Sequence, residues 1–336
     1  MHKSLAATLV LSSLVLAGCG GCEGDEDTPK PYAGIVFDVG GIDDKSFNES
    51  AYRGLKRAQK DLGIEVERYE PSQSADRQTG LRRLCAQGCA VVVGVGYLFT
   101  DDLLAIARDF PEIQFACIDM NPVPPETIPA NLVGISFREE QGSFLVGAIA
   151  GLLTKTKTVG FVGGMNIPLI HKFEAGYRAG VEHVAPGVEV IANYAGEQDT
   201  AFLDPEKGKA LALGQYGSGA DIIYHASGKT GLGVIQAAKE TGKLAIGVDS
   251  DQYHEAPGHI LTSMVKRVDV AVFETIKAAK EGRFQGGTRV LGLEDEGVGF
   301  VYDEHNKDLI PEEVYRRVMA LREEIVAGKI VVPTTP

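Results

Sequence analysis

The stretch GIVFDVGGIDDKSFNESAYRGL, Gly34 to Leu55, sets one large apolar ring, Phe47, among Asp38, Asp43, Asp44 and Glu49. Carboxylates at that density suit three chemistries. They can hold a divalent cation, they can border a phosphate loop, or they can accept hydrogen bonds from an uncharged polar ligand that stacks on the ring. Only the third uses the ring. The plain structural reading is that Phe47 packs in a core. Ser46 with Glu49 fits a capping box, which places Phe47 at a helix entrance beside Asp38.

A phosphate fits poorly. ASGKTGLG, Ala226 to Gly233, ends like a P-loop, but Ile223 stands where the first glycine of that motif belongs. No G-x-G-x-x-G follows the first apolar run, and acids repel phosphate. Calcium fits poorly as well. Gly41 to Asp44 resembles part of the D-x-D-P-G-x-D-D opening of calcium-dependent nucleoside hydrolases. Phe37 and Val39 occupy the first two acid positions, however, and Gly40 replaces the proline. Calcium takes six to eight oxygen ligands, so two missing carboxylates weaken the site severely. The seven histidines are scattered, and no spacing suggests a Ser-His-acid or Cys-His set.

The elements that position these residues alternate. Strands are predicted at 32–39, 64–70, 90–96, 114–119 and 132–137, with helices near 47–62, 76–88, 100–110 and 139–154. After Gly151 to Lys157 the rhythm repeats. Strands are predicted at 158–164, 188–196, 221–227 and 244–251, and helices near 172–183, 205–217, 230–241 and 266–281. Strands separated by helix-length segments imply parallel sheets with right-handed crossovers, here as two α/β units in tandem. Further strands fall within 290–303. A closing helix begins near Pro311, with Glu312 and Glu313 at its positive end and Gly328 beyond its last turn.

Open parallel sheets bind ligands beyond the carboxyl ends of their strands. In the first unit those positions hold Asp38, Gly96-Tyr97 and Asp119. In the second they hold Gly163-Gly164, Ser227-Gly228 and Asp249-Ser250-Asp251. The second unit also offers a counterpart to Phe47. Phe202 precedes Asp204, a good N-cap, and Pro205, suited to the first helical turn. Two rings from facing units can sandwich a flat guest.

The 336 residues are 44% hydrophobic and 24% charged, with a net charge of −13, ample for two cores. That acidity argues against a nucleic-acid partner, which needs clustered Lys and Arg. Residues 1–18, MHKSLAATLVLSSLVLAG, read as a signal peptide, with Lys3 before a short apolar run. Leu16-Ala17-Gly18-Cys19 resembles the lipobox of bacterial lipoproteins, which implies cleavage before Cys19 and lipidation there. Residues 19–31 read as a flexible, acidic, Gly-rich tether. Cys85, Cys89 and Cys117 read as buried thiols, although an exported setting permits a Cys85–Cys89 disulfide. No metal is expected.

Four ordered blocks, FDVGGIDDKSFNESAYRGL, HASGKTGLGV, IGVDSDQ and LTSMVKRVDVAV, are similar to the basic membrane protein family. Its members are nucleoside-binding lipoproteins of the purine nucleoside receptor A type. The resemblance runs from about Tyr32 to Val332. It implies the α/β type 1 periplasmic-binding-protein fold, with two Rossmann-like lobes of parallel strands joined by three crossings. The lobes are then 32–138 plus 252–286, and 139–251 plus 287–336. By the same resemblance Phe47 and Phe202 stack a purine, and Asp38 and Asp119 accept hydrogen bonds from the base. Asp249 and Lys266 hold the ribose, and Gly228 lets the backbone come close. The chain has no Trp, so Tyr97 is the candidate for any indole contact a relative uses. The resemblance thus implies a lipid-anchored binding protein outside the cell membrane, without cofactor or catalysis, and a monomer is expected. Its partners are a purine nucleoside and an ATP-binding-cassette (ABC) permease. A sugar-binding protein of the same fold is the alternative.

Overall fold

The strands form where short apolar runs are bounded by turns. AGIV, VVVGV and IIYHA are buried along their whole length, as strands covered by helices on both faces must be. A computed structural model describes residues 32–38 and 40–336. The signal peptide, the tether, Cys19 and Cys22 lie outside the described residues.

The first unit runs β1 (Ala33–Val36), α1 (Phe47–Leu62), β2 (Val66–Tyr69), α2 (Arg77–Ala86), β3 (Val91–Val95), α3 (Thr100–Asp109), β4 (Gln114–Ile118) and β5 (Leu132–Phe137). The chain then crosses into α4 (Glu139–Leu153), β6 (Thr158–Met165), α5 (Pro168–Val184), β7 (Glu189–Gly196), α6 (Pro205–Gly217), β8 (Ile222–Ala226), α7 (Gly231–Thr241), β9 (Leu244–Asp249) and β10 (Ile260–Lys266). It closes with α8 (Val268–Lys280), β11 (Gly287–Leu291), β12 (Val298–Phe300) and α9 (Glu312–Val326).

Two six-stranded sheets result, ordered β11-β5-β4-β3-β1-β2 and β12-β10-β9-β8-β6-β7. Every pair is parallel except β12 with β10. The plan is thus repeated, with β1 to β5 equivalent to β6 to β10. In each sheet the strand order reverses beside the first strand, at β1/β3 and at β6/β8, and such a reversal opens a crevice at the carboxyl ends.

The division of the chain differs from the expected one. The expected boundaries put residues 260–266 in the first unit, but β10 pairs with β9 in the second sheet. The return to the first unit comprises α8, which packs on α1, and β11, which pairs with β5. The run ILTSMVK carries Thr262 and Ser263 at its centre and gives a weak apolar signal. Its burial comes from filling the fifth parallel position. For the same reason α8 begins at Val268 rather than 266, since Lys266 still belongs to the strand.

The three crossings lie side by side. Arg138 N donates to Leu291 O at 2.9 Å, Arg267 N to Gly297 O at 2.9 Å, and Gly297 N to Gly292 O at 2.8 Å. Beyond the first crossing, α4 and α5 meet at backbone distance. A Cβ on Gly176 would lie 2.1 Å from Glu140 O, and one on Gly180 would lie 2.0 Å from Phe144 O. This contact ties the N-terminal half of α4 to the C-terminal half of α5, whose opposite end carries Leu169, Ile170 and Phe173 on the crevice wall. Gly180→Ala should therefore force the helices apart and destabilise the protein by about 1–3 kcal/mol, read from urea denaturation midpoints. An unchanged midpoint would show that the helices tolerate separation.

Candidate ligand-binding site

A cavity with about 650 Å³ of empty space, counting its opening to solvent, lies between the carboxyl ends of the two sheets. Asp38, Phe47, Tyr97 and Asp119 line it from the first unit, and Phe202, Gly228, Asp249 and Lys266 line it from the second. All eight residues singled out in the sequence therefore border one space.

Phe47 is the first residue of α1 and is set by an unusual cap. Asp44, not Ser46, caps the helix: its carboxylate accepts from the backbone N–H of Ser46 at 2.9 Å, Asn48 at 2.8 Å and Glu49 at 3.1 Å. The expected Ser46–Glu49 capping box does not form. Ser46 instead turns its hydroxyl across the gap, donating to Asp249 Oδ2 at 2.5 Å. Asn48 reaches back and accepts from Asp38 N at 3.1 Å. Gly96 leaves room for Asp38, since a Cβ there would lie 2.6 Å from Asp38 Oδ2. Tyr97 donates to Met165 Sδ across the units at 3.1 Å. Burial, with Asp38 and Asp199 nearby, pushes its phenol up to about 12, so it stays protonated.

On the opposite wall, Asp204 caps α6 by accepting from Lys207 N at 2.9 Å, as expected. Phe202 lies in the single turn before it and covers Gly164, where a Cβ would lie 2.2 Å from the ring. The two phenylalanines are not symmetry equivalents, because Phe47 follows β1 whereas Phe202 follows β7.

The two aspartates that end equivalent strands are equivalents. Asp119 follows β4 and Asp249 ends β9, and both have left-handed backbone, with φ of 60° and 64°. Such conformations are strained for non-glycine residues and cluster at functional sites. Between them sits Lys266, only 2% exposed. Its ammonium donates to Asp119 Oδ2 at 2.6 Å and lies 3.0 Å from Glu139 Oε1. The rings of Phe137, Phe47 and Phe173 approach it at 4.9, 5.1 and 5.7 Å. Lysine at a helix start would be solvated; at the end of β10 it is enclosed.

Burial works against that ammonium, but Asp119, Glu139 and Asp249 outweigh it and hold its pKa well above the ordinary value. Burial pushes Asp119 and Asp249 up to about 6 each, with Lys266 opposing the rise. Asp119 Oδ1 is buried and finds no hydrogen-bond partner among the described residues. A guest that brings hydroxyl or N–H donors would satisfy it.

The sequence did not reveal Asp44 as the cap, Asn48, Glu139, or Ile170 and Phe173 on the wall. The first turn of α5 could have been found by topology, since it follows β6 as α1 follows β1. Cys85, Cys89 and Cys117 are buried free thiols. Among the described residues no helix is long and apolar enough to cross a membrane.

Known proteins give this geometry a place. The sequence profile of the Bmp family, described as ABC transporter substrate-binding protein PnrA-like, matches residues 33–336. The chain is 37% identical to a CD4+ T-cell-stimulating antigen of Listeria innocua, over 99% of this chain and 98% of that one. It is 36% identical to basic membrane protein A of Borreliella burgdorferi, over 99% and 96%. It is 35% identical to an uncharacterized lipoprotein of Pyrococcus abyssi, over 95% and 84%. A solute-binding protein of an ABC transporter system from Aeropyrum pernix superposes with a TM-score of 0.81 at 30% identity, over 90% of this chain and 93% of that one. The lac repressor, at 14% identity and a TM-score of 0.58, shares the fold alone.

A cavity between two doubly wound sheets joined by three crossings is the architecture of a type 1 ABC substrate-binding protein. The chain belongs to the PnrA-like Bmp family of such proteins. That role implies a small-molecule ligand and an ABC permease as partners.

The raised pKa of Asp249 has a signed consequence. Its stabilising contribution is complete below about pH 4 and is lost as pH rises through about 6, because the folded protein holds the proton longer than the unfolded chain. Asp249→Asn should therefore gain more stability over the wild type at about pH 7 than at about pH 4. Urea midpoints at both pH values read this, and a pH-independent difference would contradict it.

Proposed function

We propose that the protein captures a purine nucleoside between its two units and delivers it to the permease. The observation that carries this reading is one cavity with a phenyl ring on each wall and a polar floor of Asp119, Asp249 and Lys266. The base lies between Phe47 and Phe202, with Asp38 and Tyr97 at its edge. The ribose hydroxyls meet the polar floor. Asp119 moves in this reading from the base to the ribose, because its carboxylate is paired with Lys266 rather than grouped with Asp38. Gly228, with φ of 55° and close to Phe202, keeps the backbone near the ligand.

Capture, not bond-breaking, is the work assigned to these residues. The hydrolase reading requires Asp44 as a calcium ligand, yet its oxygens are engaged by three backbone amides of α1. The protein acts as a monomer, held at the membrane by lipid on Cys19. Each buried methylene of such a chain adds about 0.8 kcal/mol to anchoring. The relatives named lipoprotein and basic membrane protein support this placement.

Calorimetric titration with inosine, guanosine, adenosine, ribose and galactose tests the ligand. Nucleosides should bind and be recovered intact, whereas binding of sugars with none of the nucleosides would favour a sugar-binding protein. In the same titration Phe47→Ala should weaken nucleoside binding by about 1–3 kcal/mol with the fold retained. Unchanged affinity would make the ring ordinary packing. For the anchor, Cys19→Ser should shift the protein from the membrane to the soluble fraction of the producing cell; continued membrane association would refute lipidation at Cys19.

A further inference from the structure

The Lys266 ammonium has acidic neighbours on two sides, and only one side faces the cavity. Asp119 and Asp249 are on the cavity lining. Glu139 stands behind, fully buried, as the first residue of α4 just past the first crossing. Its Oε1 is 3.0 Å from Lys266 Nζ. Its Oε2 accepts from Lys172 Nζ at 3.0 Å, and the same ammonium donates to Phe137 O at 3.0 Å. A chain of alternating charge, Lys172–Glu139–Lys266–Asp119, thus runs from α5 through two crossings to the end of β4.

The arrangement decides where one cation sits among three carboxylates. Phe47, Phe137 and Phe173 surround it, so the acids rather than water fix its position. Without Glu139 the ammonium would settle between Asp119 and Asp249 and occupy the acceptors that face the cavity. With Glu139 it is drawn back toward the crossings, and Asp119 Oδ1 has no hydrogen-bond partner among the described residues. The first turn of α4 favours a carboxylate at this place, and Lys172 locks it.

We propose that Glu139 is a positioning residue for ligand binding: it holds the Lys266 ammonium back so that Asp119 and Asp249 keep acceptor capacity for ligand hydroxyls. The inference rests on the nucleoside reading for its choice of ligand, and on the charge chain for its mechanism.

Glu139→Gln keeps the side-chain shape and removes the charge. Inosine should bind at least about tenfold more weakly to this variant, the scale of one hydrogen bond to a charged group. Hypoxanthine, which lacks the ribose, should lose much less. Equal losses for both would make Glu139 merely structural and overturn the proposal. A crystal structure of the ligand-free variant reads the mechanism without any ligand. The Lys266 ammonium should move toward Asp249, and an unmoved ammonium would overturn the proposal. Wild-type protein that binds no nucleoside would sink the functional reading instead, and the position of the ammonium would still decide the role of Glu139. Should Glu139→Gln fail to fold, Lys172→Gln alters the half-buried end of the chain. It should draw the ammonium further onto Glu139, away from Asp119 and Asp249, and tighten inosine while leaving hypoxanthine unchanged. Neither effect appearing would count against the proposal.

Discussion

One ammonium, enclosed by three carboxylates and three phenyl rings, sets the terms for the rest of the structure. A buried charge is costly unless it is paired and hydrogen-bonded. Lys266 meets that condition only because β10, β4 and α4 end within reach of one another. These elements come from both units, so the ion cluster and the crossings between units are one construction. Excess acid around a single cation also leaves acceptors without a hydrogen-bond partner among the described residues, Asp119 Oδ1 and Glu139 Oε1. On the proposed reading, a donor-rich guest completes the site.

The repeated sheet explains why the acids converge. Asp119, just after β4, and Asp249, the last residue of the equivalent β9, share the same left-handed backbone, so facing the two carboxyl ends brings the pair together. The rings break the repeat. Phe47 enters after the first strand of its unit and Phe202 after the second strand of the other. A strict repeat would have placed them at matching positions of facing sheets. The offset comes from different local devices: Asp44 capping α1 in one case, and the turn over Gly164 in the other.

Much of this was legible in the sequence because the signals were local. Apolar runs marked nine of the strands, and Asp204-Pro205 marked a helix start that forms with its cap intact. Of the residues after the strand ends, Asp38, Tyr97, Asp119, Gly228 and Asp249 border the cavity, since parallel topology puts strand ends on one side, whereas Gly163, Gly164 and Asp251 do not line it. What stayed hidden depended on partners distant in the chain. β10 is defined by pairing with β9 and by its place in the sheet, not by an apolar run. Ser46 looked like a cap until its acceptor, more than two hundred residues away, was in place. Glu139 carries no signal of its own in the sequence; its meaning comes from Lys266.

That distant acceptor ties recognition to the relation between the units. Asp249 lines the cavity and also receives the Ser46 hydroxyl from the opposite unit. Around it, Arg53 donates to Ser250 Oγ at 3.0 Å, Ser250 Oγ to Ser46 O at 3.0 Å, and Gln252 Nε2 to Lys45 O at 3.1 Å. These bonds join segments carried by separate sheets, so their geometry depends on how the sheets stand to each other. A ligand shifts such a relation only by binding one arrangement better than another. On the proposed reading, the ribose contacts would be made by the same carboxylate that the interunit bond orients. Ligand and closure would then act on one group rather than through a relay, and the coupling between them would be as short as a single side chain.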